Sequence, residues 1–439
     1  MKGITLFVVY KTLYRTLHRK YRFLTRSTNK LLRISRKYTP ILIRRMIVLL
    51  KKLHAYFSFS IAPPQWLINR RTSHAHLIVI RYTTLLATLF MGICIGIMLI
   101  SARHIVEKAT EVMSQVPRYL ATPTPTPTPD VLAAMSPAQR IAQLLMVRIP
   151  GNQITDETAE FVSTLRPGGI ILMRDNITDM AGTKSLVESL QSQLKPRALI
   201  AVDQEGGSVQ RLPWDTNQNI SGDHTEALRK IGANVNLAPV LDRAFPDGYI
   251  RARTYASESA MIITKATDMI EAQHAHHIAS VGKHFPGIGR ATEDPHARIP
   301  LITASQSELV DDMAPFSILA PQLDMIMSSH VIYTSVDYAN PTTFSRILIT
   351  GTLRQKMGYA GVIVTDDLNM DSIVGQKDKY VRALQAGHDL LLTLEPTSQV
   401  KLAFDEIAQA TASGRLRMSD IDESVRRILA VKHRYGLVE

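Results

Sequence analysis

The chain has 439 residues, of which 51 are Lys or Arg and 38 Asp or Glu, and its one cysteine, Cys94, excludes a disulfide within the chain. The net charge of +13 belongs to one end, since residues 1–81 carry 18 Lys and Arg and no acid, and residues 82–101 carry no charge at all. The 33 basic and 38 acidic residues left for 102–439 exclude a uniformly basic protein, so the two parts are read separately.

Residues 1–81 form a basic arm. Apolar clusters interrupt its charges, as in ILIRRMIVLLKKLHAYF at 41–57, a pattern that suits an amphipathic helix lying on anionic lipid. Nucleic acid is the competing partner, but no recognisable nucleic-acid module is present, so none is expected to bind. The next 20 residues, Tyr82 to Ser101 (YTTLLATLFMGICIGIMLIS), are uncharged. At about 1.5 Å per residue they match the roughly 30 Å hydrocarbon core, which predicts a transmembrane helix. A cleavable signal peptide would instead sit close to residue 1. The 18 cations before the span predict a cytoplasmic N-terminus and an extracytoplasmic remainder, the topology of a single-pass membrane protein. Residues 102–130 hold a helix-like stretch to about Tyr119 and then TPTPTPTP at 122–129. Alternating proline favours an extended polyproline conformation, so this is read as a semi-rigid spacer.

A domain is therefore expected over 131–439. Ser136-Pro137 has the cap and first-turn proline of a helix start. Short β-branched runs then alternate with helical patterns, with strand candidates at 143–148, 169–173, 198–203, 234–238, 279–284, 324–329, 361–366 and 388–393. Eight such units predict an α/β fold, a single (β/α)8 barrel with its site at the carboxyl ends of the strands. A doubly wound open sheet is the alternative, but no glycine-rich phosphate fingerprint follows the first strand. Polar residues stand at several strand ends: Asp203 in LIAVDQEGG, Lys283 and His284 in SVGKHFPG, His330 in MIMSSHV and Asp366 in GVIVTDDLNM. Taken singly, Asp366 reads equally well as a helix cap and His330 as packing at the rim.

The strings VDQEGGSVQRLP, VNLAPVLD, GKHFPGIG with Asp294-Pro295-His296 downstream, and GVIVTDDLNM together resemble glycoside hydrolase family 3, and within it the β-N-acetylhexosaminidases. The resemblance runs from about Pro137 to Leu437. It implies that Asp366 is the nucleophile of a retaining mechanism, a carboxylate being able to attack the anomeric carbon and leave again. Asp367 is expected to face elsewhere on a strand-to-helix turn and to cap the helix. Many family members take an acid/base from a second domain, which is not expected here. The hexosaminidase pattern implies that His296 protonates the leaving oxygen and that Asp294 fixes its tautomer. It also implies that Asp203, Lys283 and His284 hold the glycone, with Arg211 and Arg253 beside them; for the two arginines structural ion pairs are the other reading.

The chain departs from the family on the loop that should present the Asp294–His296 pair, where KHFPGIGR replaces KHFPGHGD, with Ile288 for a histidine and Arg290 for an acid. A differently shaped loop is expected. The resemblance implies release of terminal β-linked N-acetylglucosamine from peptidoglycan fragments or chitin-like oligosaccharides, without metal or organic cofactor. The alternatives are a β-glucosidase or glycoside phosphorylase of the same family, or an inactive membrane-tethered sugar-binding protein.

Overall fold

The computed structural model describes residues 131–438 apart from 218, 221–222 and 395–396. The basic arm of 1–81, the uncharged 82–101 span and the 102–130 linker lie outside the described residues. Among the described residues no helix is long and apolar enough to cross a membrane.

Eight parallel strands form one sheet: β1 (Leu145–Arg148), β2 (Gly169–Leu172), β3 (Leu199–Val202), β4 (Val235–Asn236), β5 (Ala279–Phe285), β7 (Met325–Ser328), β9 (Val362–Thr365) and β10 (Leu391–Thr393). Their order is β10-β1-β2-β3-β4-β5-β7-β9. The two outer strands meet where Val364 bridges Leu390 and the Thr365 amide donates to the Leu390 carbonyl at 3.1 Å. The sheet therefore curls into a nearly closed barrel, and the open-sheet alternative does not apply. All eight expected runs are strands; seven are trimmed by up to three residues and the fifth is one residue longer. The fourth stops at Asn236, shortly before Pro239, which has no amide to continue a ladder. Except at Arg148, the strand residues are buried, which explains why their sequences are near-continuous apolar runs rather than alternating ones.

Two helices precede β1, α1 (Val131–Ala134) and α2 (Pro137–Gln143); six lie between strands, α3 (Asp156–Leu165), α4 (Met180–Ser192), α5 (Thr225–Lys230), α6 (Ser259–Ala275), α7 (Gln306–Leu319) and α8 (Lys379–Ala386); and two follow β10, α9 (Thr397–Ala412) and α10 (Met418–Arg434). A π-helical segment, Ile347–Lys356, takes the place of an α-helix before β9. Ser136 caps α2 as its side chain accepts from the Gln139 amide, and Gln139 returns the bond to the Ser136 amide at 2.8 Å. Ser305 and Glu308 make the same reciprocal box at the start of α7. This cap matters for the site, because α7 carries the acids that anchor a site loop.

Two strands escape sequence reading. β6 (Leu301–Ile302) and β8 (Ile332–Tyr333) pair in parallel beyond the barrel rim, joining the loops that follow β5 and β7. Two residues are too few to show a period.

Candidate active site

The carboxyl ends of β3, β4, β5, β7 and β9 bring together residues that stand far apart in sequence. Asp203 and Glu205 leave β3, and Lys283 sits near the end of β5. The Lys283 ammonium reaches Asp203 Oδ1 at 2.7 Å and Glu205 Oε1 at 2.6 Å. Arg253 forks onto the same Glu205, with Nε–Oε2 at 2.9 Å and Nη2–Oε1 at 2.7 Å, the two-pronged geometry that makes a guanidinium–carboxylate pair directional. Arg211 stands 3.7 Å from Asp203 Oδ2. Two carboxylates are thus held by three cations. Burial alone would raise the Asp203 carboxyl, but Lys283 and then Arg211 outweigh it and hold it down at about 2. Glu205 is held below the usual range against its own burial by Lys283 and Arg253.

Next to this cluster His284 donates from Nδ1 to Asp242 Oδ2 at 2.7 Å, an assignment that follows from the carboxylate's being an acceptor only. Asp242 also accepts the His284 and Ile288 amides at 3.1 and 2.7 Å. The His284 ring is thereby fixed, with Nε2 turned toward Arg253 at 3.4 Å. Lys283 and His284 are both buried.

Asp366 follows β9 directly. Its amide donates to the Ser328 carbonyl of β7 at 3.2 Å, and its Oδ1 accepts the Asp367 amide at 2.9 Å. Burial would raise this carboxyl, but His330, His284, the Asp367 amide and Lys283 together hold it below the ordinary carboxylate range. It is therefore an anion ready to act as a nucleophile. Asp367 has the opposite fate. It turns away to accept the Asn369 and Leu394 amides at 3.1 and 3.0 Å, and burial pushes its carboxyl up to about 6. It caps the turn after the strand rather than a helix, since α8 begins only at Lys379. His330 is buried under Asp366, its ring held between Thr343 Oγ1 at 2.6 Å and the Asp367 carbonyl at 2.9 Å.

Asp294 and His296 lie on the long loop after β5. Asp294 Oδ1 accepts both the His296 amide at 2.9 Å and His296 Nδ1 at 2.7 Å. This leaves Nε2 as the free ring nitrogen. The loop touches the one that follows β9 and begins with Asp366, since the Ser372 amide donates to the His296 carbonyl at 3.2 Å. No hydrogen bond or ion pair among the described residues joins the His296 and Asp366 side chains, and the Asp294–His296 pair is largely exposed. The two departures on this loop are anchors. Ile288 is buried in the apolar cluster around α6 and α7. Arg290 turns onto α7, with Nε–Asp312 Oδ2 at 2.6 Å and Nη1–Glu308 Oε1 at 3.2 Å, and covers the Phe245 ring.

The structure thus gathers Asp203, Arg211, Arg253, Lys283, His284 and Asp366 at one end of the barrel and sets Asp294 and His296 on a loop beside it. Sequence reading passed over Glu205, although it lies in the quoted DQEGG string two residues after Asp203, and Asp242, which ends VNLAPVLD. Both are holders of other side chains, a role that a linear pattern does not reveal. A separate cavity of about 420 Å³ opens at the opposite end, among Gln143, Arg166, Leu194, Arg197 and Leu437, and contains none of these residues.

A family model described as the glycosyl hydrolase family 3 N terminal domain matches residues 138–219 and 213–431. A β-hexosaminidase of Tolumonas auensis is 31% identical over 294 residues, covering 61% of this chain and 88% of that protein. One from Pseudomonas aeruginosa is 33% identical over 282 residues, covering 59% and 84%. Among solved structures, a glycoside hydrolase family 3 β-N-acetylglucosaminidase from Paenibacillus sp. FPU-7 superposes with a TM-score of 0.66 at 31% identity. That match covers 69% of this chain and 63% of the longer Paenibacillus chain.

Proposed function

Because the chain belongs to glycosyl hydrolase family 3, we propose that it is a retaining exo-β-N-acetylglucosaminidase that removes terminal β-linked N-acetylglucosamine from peptidoglycan fragments or chitin-like oligosaccharides. The observation that carries this reading is the pairing of an ionised Asp366 at one strand end with an Asp294–His296 pair, 2.7 Å apart, on a neighbouring loop.

In the first step the Asp366 carboxylate attacks the anomeric carbon as the glycosidic bond breaks, and His296 gives its Nε2 proton to the departing oxygen. In the second step His296 takes a proton from water, the water oxygen attacks the anomeric carbon, and the bond to Asp366 breaks. Asp294 holds the imidazole in place through both steps and stabilises its charged form. Asp203 suits the sugar's hydroxyls, since its ionised carboxylate has lone pairs to spare beyond the bond to Lys283. Glu205, Arg253, Asp242 and His284 hold the floor on which the sugar rests.

The enzyme is proposed to work outside a bacterial membrane, tethered by the 82–101 span with the basic arm on cytoplasmic anionic lipid. The charge-free span and the 18 cations before it support this reading. The test of the activity is hydrolysis of aryl β-glycosides that differ only at C2. The 2-acetamido sugar is expected to be turned over and to give a β-configured first product. Preference for the 2-hydroxy sugar would indicate a β-glucosidase, acceleration by phosphate a phosphorylase, and no turnover of any a sugar-binding protein.

A further inference from the structure

The loop leaving β4 carries Asp242 at its start and Arg253 at its end, and between them it lies backbone to backbone against the loop that bears Asp294 and His296. A Cβ at Gly248 would meet the Gly289 carbonyl at 2.2 Å, and one at Gly289 would meet the Arg243 carbonyl at 1.9 Å, so this close approach needs glycine on both sides. At the contact the Tyr249 amide donates to the Ala291 carbonyl at 2.7 Å. The Tyr249 ring stands 6.5 Å from the His296 ring at a tilt of 59°, within the range of favourable aromatic pairs. Its hydroxyl belongs to the same neighbourhood as the Asp294 carboxylate, near enough for each group to bias the other's titration. Tyr249 is 43% exposed, so this large ring at the mouth of the site is not explained by core packing.

We propose that Tyr249 is a positioning residue whose hydroxyl holds the Asp294 carboxylate, and through it the His296 imidazole, in the orientation needed for proton transfer to the leaving group. The proposal rests on the reading of Asp294 and His296 as the acid/base pair. Asp294 spends one oxygen on both the amide and the ring of His296. In a site so open to water, those two bonds leave the carboxylate free to pivot. A third donor, carried by a second loop that is itself clamped to the first, stops the pivot and keeps Nε2 aimed into the cleft. The directions of titration agree. The Asp294 carboxyl, which burial would raise, is held down by the His296 amide and ring and then by Tyr249, while the Tyr249 phenol is pushed up by burial and by Asp294.

The experiment is a double-mutant cycle with Tyr249→Phe, Asp294→Ala and both together. Each enzyme is assayed for kcat/KM on an alkyl β-N-acetylglucosaminide, which needs a proton on its leaving oxygen, and on the dinitrophenyl analogue, which does not. Tyr249→Phe keeps the ring and removes only the hydroxyl. It is expected to lower kcat/KM about three- to tenfold on the alkyl substrate, the scale of one hydrogen bond to a charged group. It should leave the dinitrophenyl substrate unchanged, which also shows that the variant is folded. In the Asp294→Ala background the same substitution should add nothing. Equal losses on both substrates, no loss on either, or full additivity with Asp294→Ala would overturn the proposal alone. An Asp294→Ala enzyme with normal activity on the alkyl substrate would overturn the acid/base reading, and the proposal with it.

Discussion

Asp366 and Asp367 are neighbours with opposite electrostatic fates, and the difference lies in what surrounds each side chain. Asp366 is held ionised by His330, His284 and Lys283, whereas Asp367 faces two backbone amides in a buried turn and is pushed up to about 6. Asp366→Ala is therefore expected to reduce activity to background on every substrate, while Asp367 is a structural acid. His296→Ala should cost about 10² to 10⁴ in kcat/KM on substrates with poor leaving groups and little in kcat/KM on activated aryl glycosides, whose kcat should fall because water then lacks its base. With azide added, that variant should yield a β-glycosyl azide. Near-normal activity in Asp366→Ala, or an α-configured product from the unmodified enzyme, would sink the assignment. Asp203 allows a test in stability instead. Its folded carboxyl titrates at about 2, below the ordinary 3.8. Its contribution is therefore fully present above about pH 4 and lost as pH falls toward 2. A shift of this size corresponds to about 2–3 kcal/mol. Asp203→Asn should flatten the acid limb of the stability curve between pH 4 and 2, as measured by denaturant unfolding. An unchanged limb would mean that the ion pair with Lys283 contributes nothing net.

At the scale of elements, the loop after β5 shows how a departure from the family pattern is absorbed. Arg290 pairs with Asp312 and Glu308 of α7, and Arg243 reaches Asp312 at 3.2 Å from the loop after β4. The acid-to-base change at Arg290 thus gives the loop an anchor on a well-capped helix. Gly289 sits at the centre of this junction, where a side chain would strike a backbone carbonyl that has no flexible end to give way. Gly289→Ala is expected to lift the loop and lower activity on unactivated substrates at least tenfold, since small misplacements of catalytic groups are costly. Thermal unfolding should move by only a few degrees, because β5 and the barrel core do not depend on this contact. Full activity in that variant would show that the two loops need not touch.

For the molecule as a whole, the first described residues already belong to the barrel domain. Leu132 and Met135 are buried, and Arg140 of α2 pairs with Asp422 of α10 at 3.0 Å, so the two ends of the domain hold each other. A fragment beginning at Val131 is expected to be soluble, cooperatively folded and active. Protease added to intact cells should release this domain by cutting in the 122–129 linker while the basic arm stays protected. An aggregated fragment would refute the domain boundary, and a domain protected in intact cells would refute the proposed orientation.

What the sequence determined by itself was whatever depends on local pattern. The eight apolar runs named the barrel strands because a strand buried on both faces must be apolar along its length. Ser136-Pro137 named a helix start because its cap is made within four residues. Strand-end Asp203, Lys283, His284 and Asp366 were visible as polar residues where apolar runs stop. Only the tertiary structure decided which partner each one meets. Glu205 became the shared acceptor of Lys283 and Arg253, and Asp242 the holder of His284, through contacts spanning 42 to 78 residues. Ile288 and Arg290 changed from departures into anchors once α7 lay beneath them. Tyr249 gained a proposed role only because two glycines let its loop lie on that of His296. Electrostatic and positioning functions depend on distances of a few ångströms across the barrel mouth, and those are set by the closure of the sheet rather than by neighbours in the chain.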